Sequence, residues 1–302
     1  MNTFCIKILS KLRILKWINV SGKIQLNGKE FEVPILGAEG FGNLYMTEPW
    51  MIDLLKVVLP IEGKRFIDVG VNVGQTLLKL KSVSEDIAYI GFEPNPRCVN
   101  YARALIETNG FVNVDLVPVG ISDGTNLGRL DYYTHGDTDS SASVIPDFRP
   151  DQAVVRSEYV PLFDFDDLTA TLGLDSISIL KIDVEGGELE VIKSLRNEIA
   201  KHQPVILLEV LPVYKEENTS RLSRQEEIHV ILDELGYAWF RVKKADDELK
   251  GFEMIRRIGI HSDMNACEYV VIPRSKTDVF IGRAEKADLQ VELVTRSADA
   301  RY

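Results

Sequence analysis

The feature that most constrains this fold is a glycine-rich turn at residues 68–74, with the sequence DVGVNVG. It ends a short apolar run at 65–67 and precedes a segment from Gln75 that is predicted to be helical. Glu93 lies further along, at the end of a second apolar run at 88–92. A glycine turn between a strand and a helix, with an acid at the next strand end, is typical of open α/β sheets that bind an adenosine-containing cofactor.

Apolar runs continue to alternate with helical patterns along the chain. Further strands are predicted at 114–121, 177–184, 205–211, 237–242 and 268–272. The last two are expected to pair as antiparallel strands, because no convincing crossover helix lies between them. This alternation predicts a doubly wound, Rossmann-like α/β sheet, whose ligands bind beyond the carboxyl ends of the strands.

Three regions are predicted. Residues 1–47 form an N-terminal appendage with a helix and a β-hairpin that turns on the Asn-Gly pair at 27–28. Residues 48–274 form the main domain, interrupted near 124–159 by an irregular insertion rich in Asp, Ser and Thr. Such an insertion is typical of a substrate loop. Residues 275–302 are expected to form a charged, weakly patterned tail.

The charge of the chain is unevenly distributed. Its 302 residues carry a net charge of −11, which argues against binding to nucleic-acid phosphates. The first 29 residues nevertheless contain six Lys or Arg and no acid. This segment is predicted to be a solvated or packing helix, or else an amphipathic helix that contacts a membrane surface or a partner.

Two further observations bear on location. Cys5, Cys98 and Cys267 lie far apart without ligand spacing and are interpreted as free thiols of a reducing compartment. No apolar run reaches the roughly 18 residues of a membrane span. A cytoplasmic protein is therefore predicted, and its oligomeric state is left open.

The glycine turn indicates which cofactor is bound. Gly70 and Gly74 let the backbone approach a ligand, although glycines at such turns also serve packing alone. With Asn72 between them, their spacing differs from the Gly-x-Gly-x-x-Gly that holds a pyrophosphate. The adjacent Asp68 would repel a phosphate but attract a cationic amino acid. S-adenosylmethionine, which carries a sulfonium and an ammonium, is therefore favoured over NAD.

Two polar residues are expected to bind the rest of the cofactor. The Glu93 carboxylate can accept hydrogen bonds from both ribose hydroxyls, unless it is only a solvated strand end. Ser122, which follows the third strand of the sheet, is predicted to lie near the adenine.

Candidate catalytic residues follow from strand alternation. Lys181, Asp183 and Glu185 should share a direction at the end of their strand. Asp183 and Glu185 are candidates for a general base or for substrate hydrogen bonding. They could also hold a divalent cation with Glu209, or be structural, with Glu185 capping the next helix. No metal is assigned. His135, in the insertion, is a second candidate base or an ordinary surface histidine.

Three motifs, in this order, resemble those of the FkbM family of S-adenosylmethionine-dependent methyltransferases. They are FIDVGVNVG at 66–74, GFEPNP at 91–96 and LKIDVEG at 180–186. The segment YMTEP at 45–49 also resembles the entry segment of that family. The resemblance covers roughly residues 45–243.

The resemblance implies a class I methyltransferase fold, with a seven-stranded sheet whose last strand is antiparallel. It implies that Asp68, Gly70, Asn72 and Gly74 surround the methionine part of the cofactor and that Glu93 binds the ribose. Members of the family are mostly O-methyltransferases that act on hydroxyls of sugars or natural products. Their pattern usually has Ala where this chain has Val71 and a larger residue where it has Gly187, and neither change should abolish cofactor binding.

The predicted function is therefore methyl transfer from S-adenosylmethionine to a hydroxyl on a saccharide, glycoconjugate or natural product. A nicotinamide-dependent oxidoreductase is the alternative enzyme. The non-enzymatic alternative is a cofactor-binding partner, without catalysis, in the assembly of a surface polysaccharide.

Overall fold

A computed structural model describes residues 1–61 and 64–293. The N-terminal part holds helix α1 (Thr3–Lys11), strands β1 (Asn19–Leu26) and β2 (Lys29–Leu36), and helix α2 (Trp50–Val58). The two strands form the expected antiparallel hairpin, which turns on Asn27 and Gly28. Both turn residues have positive φ, as the Asn-Gly signal predicts.

Strands and helices then alternate. The first half contains β3 (Arg65–Val69), α3 (Gln75–Val83), β4 (Ala88–Phe92), α4 (Pro96–Asn109), β5 (Val114–Val117), β6 (Gly120–Ile121), β7 (Asn126–Tyr132), β8 (Arg156–Phe163) and α5 (Phe165–Leu172). The second half contains β9 (Ile179–Ile182), α6 (Glu188–Ser194), α7 (Arg196–His202), β10 (Val205–Glu209), α8 (Thr219–Glu234), β11 (Tyr237–Ala245), β12 (Glu248–Ile255), β13 (Glu268–Pro273), α9 (Thr277–Lys286) and β14 (Gln290–Glu292).

The main sheet confirms the predicted doubly wound architecture. Its strand order is β14-β12-β11-β13-β10-β9-β3-β4-β5. The five strands from β10 to β5 run parallel, whereas β13 is antiparallel to both β10 and β11. The strand order reverses between β3 and β9, so a crevice is expected beyond their carboxyl ends.

The strand count differs from the expected seven, because the described part of the main sheet has nine strands. Strand β12 forms a hairpin with β11, and β14 pairs with β12 at the sheet edge. The segment expected to be a charged tail from 275 is thus structured as far as Leu293, and the rest of that tail lies outside the described residues. Phe280 and Ala284, one helical turn apart, anchor α9 in the core.

The insertion near 124–159 also differs from expectation, because much of it is β-structure. Strands β7 and β8 form a three-stranded sheet with β6, which is the end of the predicted strand 114–121. Leu130, Tyr132, Val160 and Leu162 form its small core. The alternation that buries these side chains has a period of two residues, but the nearby charged residues Arg129, Asp131 and Glu158 obscured it in the sequence.

The hydrophobic core extends into the N-terminal part. Ile6 and the hairpin residues Ile24 and Val33 share one apolar cluster with Tyr101 and Leu105 of α4. The division of the chain at residue 47 stays a prediction. In the described part of the chain, no helix is both long enough and apolar enough to cross a bilayer.

Candidate active site

The glycine turn connects β3 to α3 in a conformation that requires glycine. Gly70 has a φ of 95°, and a Cβ on it would lie 1.9 Å from the backbone oxygen of Asp183. Asn72 and Gly74 also have positive φ, of 48° and 73°. The Gly70 amide donates to the carbonyl of Phe92 at 3.0 Å, which holds the turn against the end of β4.

Glu93 ties this turn to the segment after β4. One carboxylate oxygen accepts from the Asn72 amide at 2.7 Å and the other from the Asn95 amide at 2.8 Å. Burial raises the pKa of Glu93 to about 7, although the amides of Asn95 and Asn72 oppose this shift. The sequence therefore places a buried carboxylate at the expected position, and the turn itself orients it.

Asp68 lies behind the wall of the site and not on its surface. It is fully buried, and its carboxylate accepts a hydrogen bond from the Tyr89 hydroxyl at 2.8 Å. The Lys181 ammonium lies 3.4 Å from its other oxygen. Asp68 was expected to attract a cationic ligand directly. It pairs instead with Lys181 inside the protein, because β3 and β9 are neighbouring strands that place these two residues opposite each other.

Asp183 forms the centre of a chain of ionisable groups. Lys181 donates to its carboxylate at 3.0 Å, and Glu209 from the end of β10 is hydrogen-bonded to it on the other side. Burial raises the pKa of Asp183, but Lys181 and Glu209 outweigh this effect, so the net direction is downward. Burial and the charge of Asp183 raise the pKa of Glu209 to about 10. At neutral pH Asp183 is therefore a carboxylate that accepts a hydrogen bond from the protonated, neutral carboxyl group of Glu209.

Glu185 fastens the insertion to the site. It adopts a positive φ of 52°, its carboxylate pairs with Arg149 at 2.6 Å, and its backbone oxygen accepts from the Ser143 hydroxyl at 2.7 Å. Burial is the main cause that raises its pKa. Asn95 makes a further tie through its side chain, which donates to the Asp137 carbonyl at 3.0 Å.

These elements enclose a cavity of about 250 Å³ at the carboxyl ends of β3, β4, β9 and β10. Five of the predicted site residues line it, namely Gly70, Asn72, Glu93, Asp183 and Glu185. Its polar lining also includes Glu48, Asn95, Asp139, Ser140, Lys181 and Glu209. Pro94, Ile121 and Leu162 contribute an apolar wall.

Four predicted site residues do not line this cavity. Asp68 is one of them, and Gly74 is another, because it is the N-cap residue directly before α3. The Ser122 amide donates a hydrogen bond to the carbonyl of Phe163, which holds Ser122 at the small sheet and away from the cavity lining. His135 is exposed in the insertion. The backbone just before it is held by Asp139, whose carboxylate accepts hydrogen bonds from the amides of residues 133 and 134. The local spacing of these residues could not show the direction of their side chains.

Sequence reasoning missed several lining residues. Glu48 lies in the YMTEP segment, which was noted only as an entry motif. Asp139 lies in the insertion, where its carboxylate accepts a hydrogen bond from the amide two residues further on, as in an Asx turn. The many Asp residues of the insertion obscured this one in the sequence. Glu209 was considered only as a cation ligand. Within residues 1–61 and 64–293, no group of three or more His, Cys, Asp and Glu side chains is arranged to hold a metal ion.

A comparison with known families identifies the domain. Residues 68–238, more than half of the chain, match the methyltransferase FkbM domain. This chain belongs to the FkbM methyltransferase family. The methyl donor of this methyltransferase is S-adenosylmethionine.

Individual relatives are distant. Methyltransferase sdnD of Sordaria araneosa is 26% identical over 163 residues, which cover 44% of this chain and 60% of that protein. An FkbM methyltransferase structure from Methylobacillus flagellatus has 17% identity and a TM-score of 0.42, covering 68% of this chain and 43% of that chain. An O-methyltransferase from Bacillus cereus, in complex with SAH, has 12% identity and a TM-score of 0.44, covering 75% and 81%.

The lining of the cavity fits the charge of the methyl donor. Six of the lining residues are acidic, and one, Lys181, is basic. Glu209 is neutral at pH 7, and Glu48 and Glu185 are paired with Lys79 and Arg149, so the lining keeps a modest negative charge. This charge suits a ligand that carries a sulfonium and an ammonium better than the pyrophosphate of a dinucleotide. If the donor binds here, Gly70 and Asn72 would hold its methionine part and Glu93 its ribose, and the apolar wall of Pro94, Ile121 and Leu162 would face its adenine.

Proposed function

We propose that this FkbM methyltransferase methylates a hydroxyl on a saccharide, glycoconjugate or natural product. The observation that carries this proposal is the position of Asp183, which faces the cavity between Lys181 and Glu209. A carboxylate so held is ionised at neutral pH and can accept a hydrogen bond from an acceptor hydroxyl. When bound, S-adenosylmethionine supplies an electrophilic methyl group on its sulfonium.

A small second space, with room for about one water molecule or one hydroxyl group, lies beside Asp183. It measures about 30 Å³ and shares Glu48, Lys181, Asp183 and Glu209 with the larger cavity. The carboxyl pair of Asp183 and Glu209 thus stands between the two spaces. The reacting hydroxyl of an acceptor would fit this small space beside Asp183, whereas the rest of the acceptor would not.

The proton balance follows from this arrangement. The Asp183 carboxylate would take the proton of the acceptor hydroxyl as its oxygen bonds to the methyl carbon. Bound S-adenosylmethionine would supply that methyl group and keep the electron pair of the broken carbon–sulfur bond, leaving as the neutral thioether. Lys181 keeps Asp183 ionised before the reaction, and Glu209 fixes its orientation through the shared proton. A general base of this kind contributes about 10²–10⁴-fold, and alignment of the reactants supplies the remainder.

Of the two alternatives, the oxidoreductase is disfavoured by the family and by the acidic lining. The partner without catalysis shares every prediction about cofactor binding and differs only in the outcome of the transfer assay. A cytoplasmic location, a small-molecule or glycan acceptor and a peripheral contact of the basic N-terminus with a membrane complete the proposal.

Calorimetry and methyl transfer together test the function. We expect Glu93→Ala to weaken binding of S-adenosylhomocysteine at least tenfold, because a lost hydrogen bond to a charged carboxylate costs about 1.5–3 kcal/mol of binding free energy. Glu107→Ala, an exposed glutamate on α4, is the matched control and should bind like the parent. Unchanged affinity in Glu93→Ala would overturn the cofactor placement.

The acceptor is sought with labelled S-adenosylmethionine and fractionated extracts. Asp183→Asn should keep S-adenosylhomocysteine binding and lose about 10²–10⁴-fold in transfer rate, whereas the exposed control Asp123→Asn should lose nothing. Binding without transfer to any fraction by the parent enzyme would favour the non-catalytic partner.

A further inference from the structure

Helix α1 and the turn after it present an exposed apolar surface. Phe4, Ile8 and Leu12 follow at helical spacing on one side, and Ile14 and Trp17 continue the surface. The side chain of Trp17 is 86% exposed, that of Phe4 67% and that of Leu12 62%. These five residues are called the N-terminal face below. Contiguous exposed apolar side chains of this size mark a contact surface on a folded domain.

The opposite side of the same segment is already packed. Ile6 and Leu15 are buried in the cluster that the hairpin shares with α3 and α4. The segment therefore does not need the N-terminal face for its own docking. A Cβ on Gly22 of β1 would lie 2.8 Å from the Ile6 side chain, which shows how closely the inner side is seated.

Basic side chains surround the N-terminal face. Lys7, Lys11, Arg13 and Lys16 are all exposed. None of the four forms an ion pair with a residue of 1–61 or 64–293. They stand out in a chain of net charge −11, whose first 29 residues contain no acid. An apolar surface with a basic rim and an exposed tryptophan matches the interface of an anionic bilayer.

The N-terminal face is connected to the active site through the segment before α2. The Lys7 ammonium lies 5.0 Å from the centre of the Tyr45 ring. Tyr45 and Met46 are themselves exposed, and Glu48, two residues after Met46, lines both cavities. A surface that binds α1 would thus extend to the residues at the acceptor side of the site.

We infer that the N-terminal face binds an anionic lipid bilayer and that the methyl acceptor is a lipid-linked hydroxyl compound at that surface. The second half of this inference rests on the proposed function. Binding at the membrane brings the acceptor side of the site to the plane where lipid-linked compounds are concentrated. The contact requires neither a spanning helix nor a covalent lipid.

Vesicle flotation of the full chain tests the surface. We expect binding to mixed phosphatidylcholine–phosphatidylglycerol vesicles, weak binding to pure phosphatidylcholine vesicles, and loss of binding as salt is raised. Lys11→Gln and Lys16→Gln should each weaken binding about fivefold. The matched control is Lys215→Gln, an exposed lysine after β10, which should bind like the parent.

The apolar part has its own matched pair of variants. The double variant Phe4→Ser with Trp17→Ser should weaken vesicle binding by roughly tenfold or more for each side chain. Leu127→Ser with Tyr159→Ser removes two equally exposed apolar side chains from the small sheet and should change nothing. No vesicle binding by the parent, equal loss in both double variants, or capture of a protein partner instead would overturn the inference.

A transfer assay separates this inference from the proposed function. Labelled methyl groups should appear in the organic phase when a host lipid extract is supplied as vesicles, and Phe4→Ser with Trp17→Ser should reduce that rate. S-adenosylhomocysteine affinity should be the same in the double variant and the parent. Labelling of water-soluble acceptors alone, at a rate that vesicles do not change, would overturn the lipid-linked acceptor and leave methyl transfer intact. Vesicle binding without any affinity for S-adenosylhomocysteine would overturn methyl transfer, and with it the lipid-linked acceptor, but would leave the bilayer contact of the N-terminal face intact.

Discussion

Gly70 and Asp183 meet so closely that a single added carbon would separate two strands of the sheet. A Cβ on Gly70 would lie 1.9 Å from the backbone oxygen of Asp183, and the φ of Gly70 is 95°. The turn that approaches the cofactor therefore also sets the position of the strand end that carries the proposed base. In the proposed function, cofactor binding and acceptor alignment would therefore depend on one backbone contact.

Substituting Gly70 tests this contact. Gly70→Ala should lose S-adenosylhomocysteine binding and destabilise the fold by about 3 kcal/mol or more, because strain at positive φ adds to a backbone clash. Gly110→Ala is the matched control, since Gly110 also has positive φ, of 60°, but has open space around it. It should cost about 1 kcal/mol and leave binding unchanged, as measured by urea unfolding and calorimetry. Equal effects of the two variants would show that the contact is unimportant.

The pH dependence of cofactor binding should report Glu93. Its pKa is raised to about 7, and only the ionised carboxylate accepts both ribose hydroxyls. Affinity for S-adenosylhomocysteine should therefore rise up to tenfold per pH unit below about 7 and level off above it. Glu93→Gln should remove that slope in calorimetry.

A second buried acid provides the control for this titration. The pKa of Glu188 is also raised to about 7, mainly by burial, but Glu188 accepts the Gly186 amide and does not line the cavity. Glu188→Gln should keep the pH slope of the parent. If the pH dependence of affinity persists in Glu93→Gln and disappears in Glu188→Gln, the titrating group is Glu188 and not Glu93.

Glu209 should make the fold less stable as the pH rises. Its carboxyl stays protonated in the folded state up to a pKa of about 10 but ionises near 4.5 when unfolded. The folded state thus binds more protons between these values, so the unfolding free energy falls with increasing pH. Glu209→Gln keeps a neutral hydrogen-bond donor and should remove this loss. Its unfolding free energy relative to the parent protein should therefore be higher at pH 8 than at pH 4. Parallel stability curves for the two proteins would contradict the neutral Glu209.

Lys181 is predicted to stabilise the site by pairing with two acids at once. Lys181→Met leaves Asp68 and Asp183 without their cation and should cost about 3–5 kcal/mol in urea unfolding. The double variant Asp68→Asn with Lys181→Met should recover part of that loss, because the uncompensated buried charge is then gone. Additive losses in the double-mutant cycle would mean that the pair contributes no coupling.

Much of the frame could be predicted from local pattern. The glycine turn, the acid after β4 and the antiparallel pairing of β11 with β13 follow from residue type and period, which act over a few positions. The hairpin at 27–28 follows equally from its turn residues. The strands of the insertion and the edge strands β12 and β14 escaped because their alternation is diluted by charged residues, and their pairing partners are distant in sequence.

By itself, the sequence determined that a strand, a glycine turn and an acid at the next strand end would form one edge of an α/β sheet. Only the tertiary structure decided which acids face the cavity. Asp68 turned inward to Lys181, whereas Glu209 came beside Asp183 and became neutral. The physical reason is that the burial and the pKa of a carboxyl group depend on neighbours that separate strands bring together. The spacing of residues along one strand does not specify those neighbours.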